Sequence, residues 1–145
     1  MKLKIEYLDN YDREWGELSK AHSTDAGFDL RSTIESIIYP DGILFVPLGF
    51  KTSFEEGYEA QVRARSGLAL KNGIGLVNGI GTIDAGYRGE WGAILVNHGD
   101  KPFHVCRGDR VCQVVFNKLP QIDIEYGPVD DGNDRCGGFG SSGVA

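Results

Sequence analysis

Sulfur-containing residues are scarce in this 145-residue chain, which has three cysteines and one methionine. The cysteines (Cys106, Cys112 and Cys136) are odd in number and lack the paired C-x-x-C spacing of zinc sites. This pattern argues against a disulfide framework or a cysteine zinc site, and we expect free thiols in a reducing compartment. The three histidines are scattered as well, and we expect them on the surface or in the core rather than in catalysis or metal ligation.

Long apolar runs and an excess of positive charge are also missing. Nowhere do about 18 apolar residues follow one another, as a membrane span requires. The N-terminal stretch "MKLKIEYLDNYDREWG" lacks the apolar core of a signal peptide. Lysine and arginine total 15 against 21 aspartates and glutamates, a net charge of -6, which argues against nucleic acid or an anionic membrane as a partner. We expect one soluble, cytoplasmic domain, long enough to bury a hydrophobic core.

Several catalytic and cofactor-binding motifs are absent too. The sequence contains no G-x-x-x-x-G-K-[ST] loop, no H-E-x-x-H pair and no G-x-S-x-G elbow. The segment "GFGSSG" (138–143) does fit G-x-G-x-x-G, but it follows no predicted strand and opens no predicted helix. We therefore reject a dinucleotide site there.

The segments that are present predict an all-β fold. Twenty-one glycines separate short stretches, which favours strands and tight turns. In the clearest strand, "YEAQVRAR" (58–65), apolar and polar residues alternate strictly, as in a half-buried strand. Further strands are predicted at 3–8, 28–32, 35–40, 43–54, 74–80, 91–97, 103–106, 110–118 and 122–126. So many short strands indicate a sandwich, jelly roll or barrel.

One helix is predicted, over "SGLALKNG", with Ser66 as its N-cap and Gly73 as its stop. Arg65 lies just ahead of it. A helix start and a guanidinium together suit a phosphate, but a capped surface turn with a solvated arginine fits this stretch equally well.

Three polar residues interrupt apolar patterns. Asp84, before Ala85-Gly86, fits ordinary turn chemistry. Asp29 lies in a strand-like segment where aspartate is disfavoured. Gln113 is predicted to share a face with the apolar Val111 and Val115 of its strand, where its amide would satisfy a buried backbone group or reach a ligand oxygen.

The chain divides into a β domain (1–129) and a glycine-rich tail (130–145) that we predict to be a mobile arm. Phe139 stands alone among glycines there. An arm closing over a flat ligand would use such a ring for stacking; alternatively, the ring anchors the tail to its own or another subunit.

Five segments carry a resemblance that covers nearly the whole chain. They are, in order, "STDAGFDLRS", "RARSGLALKNGI", "GTIDAGYRGEWGAILVN", "GDRVCQVVF" and "RCGGFGSSG". Together they resemble the homotrimeric dUTPases, which hydrolyse dUTP to dUMP and pyrophosphate, limiting uracil incorporation into DNA and supplying dUMP for thymidylate synthesis. The resemblance implies a jelly-roll-like β subunit, Mg²⁺ as cofactor, and three active sites shared within a homotrimer, each completed by the C-terminal arm of a neighbour.

The resemblance also implies roles for individual residues. Asp84 would orient and deprotonate the water that attacks the α-phosphorus, Asp29 would hold Mg²⁺ through waters, and Tyr87 would pack against deoxyribose and leave no room for a 2′-hydroxyl. The implied nucleotide-binding residues are Arg65, Ser66 and Gly67 at the phosphates, Gln113 near the α-phosphate, Asn78 at uracil, Phe139 over uracil, Gly140, Ser141 and Ser142 in the arm, and Arg135 at the γ-phosphate.

Two departures from the family pattern affect these expectations. Ala64 stands where the family commonly has proline. This replacement loosens the backbone without removing a contact. Arg135 lies four residues before Phe139 rather than five, so its γ-phosphate contact would be weakened or reached by another path.

Two other functions fit parts of the pattern. The related dCTP deaminases share this fold but need a glutamate beside the base and a longer chain. A non-enzymatic regulator is the second alternative: if the chain is phage-encoded, working in the host cytoplasm, it would bind a regulatory protein partner in place of or besides hydrolysis.

Overall fold

Antiparallel β-strands form most of the regular structure, as the short glycine-separated segments predict. The computed structural model describes residues 1–130, 132 and 137–145. Its strands are β1 (Lys4–Tyr7), β2 (Phe28–Arg31), β3 (Ser36–Ile38), β4 (Ile43–Pro47), β5 (Phe50–Ser53), β6 (Tyr58–Arg63), β7 (Ile74–Leu76), β8 (Gly81–Asp84), β9 (Gly92–Asn97), β10 (Phe103–Val105) and β11 (Arg110–Lys118). A 3-10 helix spans Arg13–Trp15, and the α-helix α1 spans Ser66–Asn72.

The strands pair in a larger sheet of order β2-β11-β6-β8, a second of order β4-β9-β7, and two pairs, β1-β5 and β10-β3. Every pairing is antiparallel. The predicted all-β, jelly-roll-like class with one short helix is confirmed for the described residues.

One hydrophobic core joins the two larger sheets. Val62 of β6, Val114 of β11 and Leu95 of β9 are almost fully buried in the same cluster. Trp91 is buried in it as well, and its indole Nε1 donates a hydrogen bond to Thr52 Oγ1 at 3.0 Å, so the buried polar atom is satisfied. On β6 the inward residues alternate with outward ones, as predicted.

Glycines end two of the predicted strands early. The predicted strand 43–54 is in fact two strands, because Gly49 has a φ of 79° that an extended strand cannot contain. The predicted strand 74–80 stops at Leu76 because Gly79, with a φ of 70°, closes a turn by donating its N–H to the Leu76 carbonyl. The chain then returns as β8, a strand that the sequence pattern did not predict.

The predicted strand 122–126 is wrong for the protomer. This segment is coil, and Ile122, Ile124 and Tyr126 are 73%, 71% and 91% exposed. Its apolar residues do alternate at period two, but no sheet edge in the described part of the protomer pairs with it.

The helix begins differently from the prediction. Arg65, not Ser66, occupies the N-cap position, and no side chain caps the first turn. The end is as predicted: Gly73 is left-handed, with a φ of 69°, and its N–H reaches the Leu68 and Ala69 carbonyls.

Cys106 and Cys112 are free thiols, as expected; Cys136 lies outside the described residues. Of the helices in the described ranges, none combines the length and apolarity needed to cross a membrane.

Candidate active site

Three side chains that the sequence predicts for the site meet, together with Arg110, where β2, β11 and the start of α1 adjoin. The register places Asp29 of β2 opposite Gln113 of β11. Asp29 Oδ1 accepts from Arg65 Nε at 3.1 Å, and Asp29 Oδ2 accepts from Arg110 Nη1 at 3.3 Å. We call Asp29, Arg65, Arg110 and Gln113 the Asp29 cluster. Two guanidinium groups around one carboxylate leave the cluster net positive, which suits an anionic ligand.

A bulge in β11 positions the side chains of this cluster. As a result, Gln113 lies on a different face from the one predicted. The register with β2 shifts between Arg110 and Cys112, so Val111 and Cys112 are buried in succession. The core face of β11 therefore continues through Cys112 and Val114, and Gln113 faces away from the core on the side of Asp29. Because a bulge re-aims the side chains that precede it, Arg110 lies on this side as well.

The Gln113 amide is held by two neighbours. Its Nε2 donates to the Ala64 carbonyl at 3.0 Å, immediately before Arg65. A Cβ on Gly27 would lie 2.4 Å from Gln113 Oε1, so a glycine is needed there for close approach. Sequence reasoning missed Gly27, because its role depends on a cross-strand neighbour.

Arg65 also links the helix start to β11, since its Nη1 donates to the Arg110 carbonyl at 3.0 Å. Ser66 and Gly67 follow at the exposed first turn of α1. The structure thus brings Asp29, Arg65, Ser66, Gly67 and Gln113 into one region.

Cys112 lies beneath the Asp29 cluster and is fully buried. Burial raises the pKa of its thiol to about 12, Asp29 adds to the rise, and Arg65 opposes it. The thiol is therefore neutral at physiological pH and is not a nucleophile.

A second group of site residues lines a cavity of about 250 Å³ between β8 and β9, which we call the hairpin cavity. Asn78, Asp84 and Tyr87 all line it. Its other lining residues are Phe45, Val62, Leu76, Gly81, Thr82, Ile83, Glu90, Gly92, Ala93 and Ile94.

Asp84 ends β8 with its side chain exposed. Its carbonyl accepts from the Tyr87 N–H at 3.0 Å, so Ala85-Gly86 form the turn that the sequence predicts. Turn chemistry and an exposed carboxylate that lines the hairpin cavity thus coexist in one residue.

Asp84 and the Asp29 cluster lie at different ends of β6 in one protomer. Asp84 lies opposite Glu59 at the start of β6, whereas Gln113 lies opposite Arg63 at its end. The stretch of chain from Glu59 to Arg65 spans about 20 Å when extended. The register thus separates Asp84 from Arg65 by most of the length of β6.

The tail residues 137–145 are all exposed. Phe139 is fully exposed and has a φ of 48°, so the idea that it anchors the tail to its own protomer is wrong. Gly140, Ser141 and Ser142 lie in adjoining turns. Arg135 lies outside the described residues.

Asp29 is the residue that the family resemblance implies for a metal ion. Within the described ranges no three His, Cys, Asp or Glu side chains cluster as a metal site, and both Asp29 oxygens already accept from arginines. Mg²⁺ commonly uses one carboxylate, several waters and substrate phosphates. Asp29 fits such a water-mediated role, with phosphate oxygens as the direct ligands.

The fold is a jelly-roll-like β domain. It carries a cavity lined by the carboxylate of Asp84 and a cationic cluster that suits a phosphorylated ligand. A family model described as dUTPase matches residues 13–143. The chain therefore belongs to the dUTPase family.

Individual relatives agree with this assignment. A deoxyuridine 5′-triphosphate nucleotidohydrolase of Clostridium tetani is 48% identical over 124 residues, which cover 85% of this chain and 86% of the relative. The fold is similar to that of a mutant dUTPase of Staphylococcus bacteriophage 80alpha solved with dUpNHpp, with a TM-score of 0.85, 22% identity and 99% of both chains covered. It is also similar to a mutant dUTPase from phage phi11 of S. aureus, described with a structural Mg(II) ion, with a TM-score of 0.79, 20% identity, and 91% and 100% of the two chains covered.

Proposed function

We propose that the chain hydrolyses dUTP to dUMP and pyrophosphate at active sites shared between the protomers of a homotrimer. The hairpin cavity, which unites Asn78, Asp84 and Tyr87, is the observation that carries the proposal. Membership of the dUTPase family supports the reaction and the substrate.

Asp84 is the proposed catalytic residue. Its exposed carboxylate at the cavity mouth takes a proton from a water molecule as the water oxygen bonds to the α-phosphorus. The bond from the α-phosphorus to the bridging oxygen breaks, and pyrophosphate leaves. Phosphoryl transfer depends on positioning and charge neutralisation, so a covalent nucleophile is not needed.

Asn78 and Tyr87 hold the nucleoside in this proposal. Asn78, in the turn between β7 and β8, contacts uracil together with backbone groups of the hairpin. Uracil and cytosine differ where donor and acceptor reverse, so fixed backbone N–H and C=O groups reject cytosine by leaving buried groups unpaired. Tyr87 packs against the deoxyribose.

The Asp29 cluster binds the triphosphate. Arg65 and the first turn of α1, at Ser66 and Gly67, contact phosphate oxygens, and Gln113 contacts the α-phosphate. Arg110 adds a second guanidinium beside them. These groups supply local positive charge in a protein with a net charge of -6, which an anionic substrate requires.

Mg²⁺ is the proposed cofactor, and the phi11 enzyme offers a parallel only in that it is described with a structural Mg(II) ion. When bound, the ion would neutralise charge on the triphosphate. Asp29 would hold it through waters while remaining paired with Arg65 and Arg110.

The separation along β6 supports the sharing of sites between protomers. A site that contains both Asp84 and Arg65 needs the hairpin cavity of one protomer and the Asp29 cluster of another. Exposed apolar side chains support assembly. On β4, Ile43 and Phe45 are 63% and 59% exposed. In the described protomer the apolar side chains of segment 119–129 are also exposed, and no strand pairs with this segment. Such surfaces mark interfaces.

Residues 130–145 form an arm that closes over the active site of a neighbour in this proposal. Phe139 stacks on uracil, Gly140, Ser141 and Ser142 approach the terminal phosphates, and Arg135 approaches the γ-phosphate. The full exposure of Phe139 supports this, because an aromatic ring that is not buried in its own protomer is free to cover a flat base.

We place the enzyme in the cytoplasm, where a reducing medium keeps Cys106 and Cys112 as thiols. There it would lower the dUTP available for DNA synthesis and supply dUMP for thymidylate. A regulatory protein partner is a further expectation if the chain is phage-encoded.

The test is release of pyrophosphate by purified protein with Mg²⁺ and dUTP, dCTP, dTTP or UTP. We expect turnover of dUTP far above the other three. Asp84→Asn should lower kcat by about 10²- to 10⁴-fold, the contribution of a positioned general base. Truncation after Asp130 should lower turnover strongly while leaving the trimer intact.

Asp100→Asn is the matched control, since Asp100 is exposed and belongs to neither group of site residues. Equal turnover of the four nucleotides, or full activity in Asp84→Asn, would contradict the proposed function. Release of ammonia from dCTP would indicate a deaminase, and absence of any turnover would favour a binding protein. Unchanged turnover in the truncated chain would refute the role of the arm.

A further inference from the structure

The ring of Tyr87 is fixed by two residues that have no assigned role. Its hydroxyl donates a hydrogen bond to the Glu90 carbonyl at 2.9 Å. A Cβ on Gly89 would lie 2.4 Å from the Tyr87 hydroxyl oxygen, 2.6 Å from Cζ and 3.0 Å from Cε2. The ring therefore lies directly across Gly89.

Gly89 is required for space rather than for backbone conformation. It is not among the glycines with positive φ, so alanine could adopt its backbone without strain. The added methyl group would instead meet the rigid ring of Tyr87, which has no flexible end that could bend away. Gly89→Ala is thus a substitution that moves Tyr87 and little else.

The side chain of Glu90 holds in place the Glu90 carbonyl that accepts from the Tyr87 hydroxyl. Its Oε1 accepts from Asn10 Nδ2 at 2.6 Å and from the Gly49 N–H at 3.1 Å. The next residue, Trp91, is completely buried and donates its N–H to the Phe50 carbonyl at 2.9 Å. The carbonyl that receives the Tyr87 hydroxyl therefore belongs to a segment attached to the body of the protein by both its side chain and its backbone.

We infer that Gly89 and Glu90 are positioning residues that set selectivity for deoxyribose over ribose by holding the Tyr87 ring in place. The inference rests on the proposed function, in which Tyr87 packs against the sugar. Exclusion of a 2′-hydroxyl works only if the excluding ring cannot retreat. Gly89 lets the ring lie close to the backbone, and Glu90 prevents it from moving once there.

The experiment measures kcat/KM for dUTP and for UTP and compares their ratio between variants. Gly89→Ala and Glu90→Ala should each lower the dUTP/UTP ratio by about tenfold to a hundredfold, as expected for a misplaced contact of about 1 Å. Glu90→Gln keeps an oxygen acceptor for Asn10 and Gly49 and should retain the ratio. Gly86→Ala is the matched control in the same turn, because its Cβ would meet nothing within 4 Å.

A double-variant cycle shows whether the effect passes through Tyr87. In a Tyr87→Ala background the ring is gone, so Gly89→Ala and Glu90→Ala should change the ratio no further. A wild-type ratio in folded Gly89→Ala, or an equal fall in both backgrounds, would overturn the inference.

The inference can still be tested if a variant fails to fold. Circular dichroism and gel filtration identify such a failure, and if Gly89→Ala is unfolded, the Glu90→Ala and Glu90→Gln pair decides alone: equal ratios in the two would overturn the inference. Equal turnover of dUTP and UTP by the wild-type protein would instead reject the proposed function itself.

Discussion

At the residue scale, small residues determine where polar side chains of the site point. Gly27 leaves room for the Gln113 amide, which donates to the carbonyl of Ala64 just before Arg65. The contact between Gln113 and Ala64, which lie far apart in the sequence, thus depends on the absence of a side chain at Gly27. The proline that the family commonly has in place of Ala64 would keep this carbonyl, so the departure does not remove the contact.

Gly27→Ala should displace the Gln113 amide, because the new Cβ would lie 2.4 Å from its Oε1. Loss of the hydrogen bond to Ala64 is worth about 0.5–1.5 kcal/mol, so kcat/KM for dUTP should fall by up to about tenfold. Steady-state kinetics with dUTP provide the measurement. In a Gln113→Ala background the same change should have no further effect, and a similar fall in that background would refute the explanation.

The candidate site residues were predicted from the family resemblance rather than from periodicity. Period-two alternation assigned Gln113 to the wrong face, because a bulge at Val111 shifts the alternation and depends on the pairing with β2. Gly27 and Gly89 could not be found from the sequence, since the space they leave is occupied by a neighbour known only from the fold.

At the element scale, segment 119–129 is the main difference between prediction and structure. The alternation of Ile122, Ile124 and Tyr126 is a genuine strand pattern, yet a strand needs a partner edge as well as a pattern. In the described protomer that edge is missing, and we expect another protomer to provide it.

Ile124→Asp should therefore weaken assembly. Burial of an isoleucine side chain contributes about 1.5–3 kcal/mol, and each proposed trimer would contain three copies. Light scattering across a dilution series should show smaller species at concentrations where the wild type stays assembled. Glu125→Ala, on the opposite face of the same segment, is the control. An unchanged dissociation profile for Ile124→Asp would show that this face is not buried between protomers.

Elements with local signals were predictable and those with non-local causes were not. Strand β6 and the end of α1 at Gly73 follow from alternation and from glycine in the left-handed conformation. The start of α1 was misjudged by one position, because Ser66 has the composition of a cap but makes no capping hydrogen bond. Strand β8 was missed because its partner, β6, is distant in sequence.

At the scale of the whole molecule, β6 separates the two groups of candidate site residues. Asp84 lies beside its first residues and Arg65 follows its last. In the proposed trimer, each protomer would therefore contribute to two different active sites. If the proposal is right, loss of the residues at either end of β6 inactivates a site that a different protomer completes.

Mixed assembly of two inactive variants tests this arrangement. Asp84→Asn and Arg65→Ala should each be nearly inactive alone. After joint refolding, about three quarters of randomly assembled trimers are mixed, and one site in each mixed trimer has both parts intact, so about a quarter of wild-type activity should return. The control is a mixture of the two variants that were assembled separately and are combined without refolding. If no activity returns although mixed trimers are detected, both parts act within one protomer.

The exposed strand pattern of segment 119–129 also creates a hazard for a protomer that has not yet assembled. An unpaired strand with an apolar face is a template for pairing with identical chains, the first step of aggregation. Asp123 and Glu125 alternate with the apolar residues, so in-register stacking of copies would place like charges together. Pro120 and Pro128 lie near the two ends of the segment and lack the N–H that would extend such pairing. The same stretch that favours assembly thus carries its own protection against uncontrolled polymerisation.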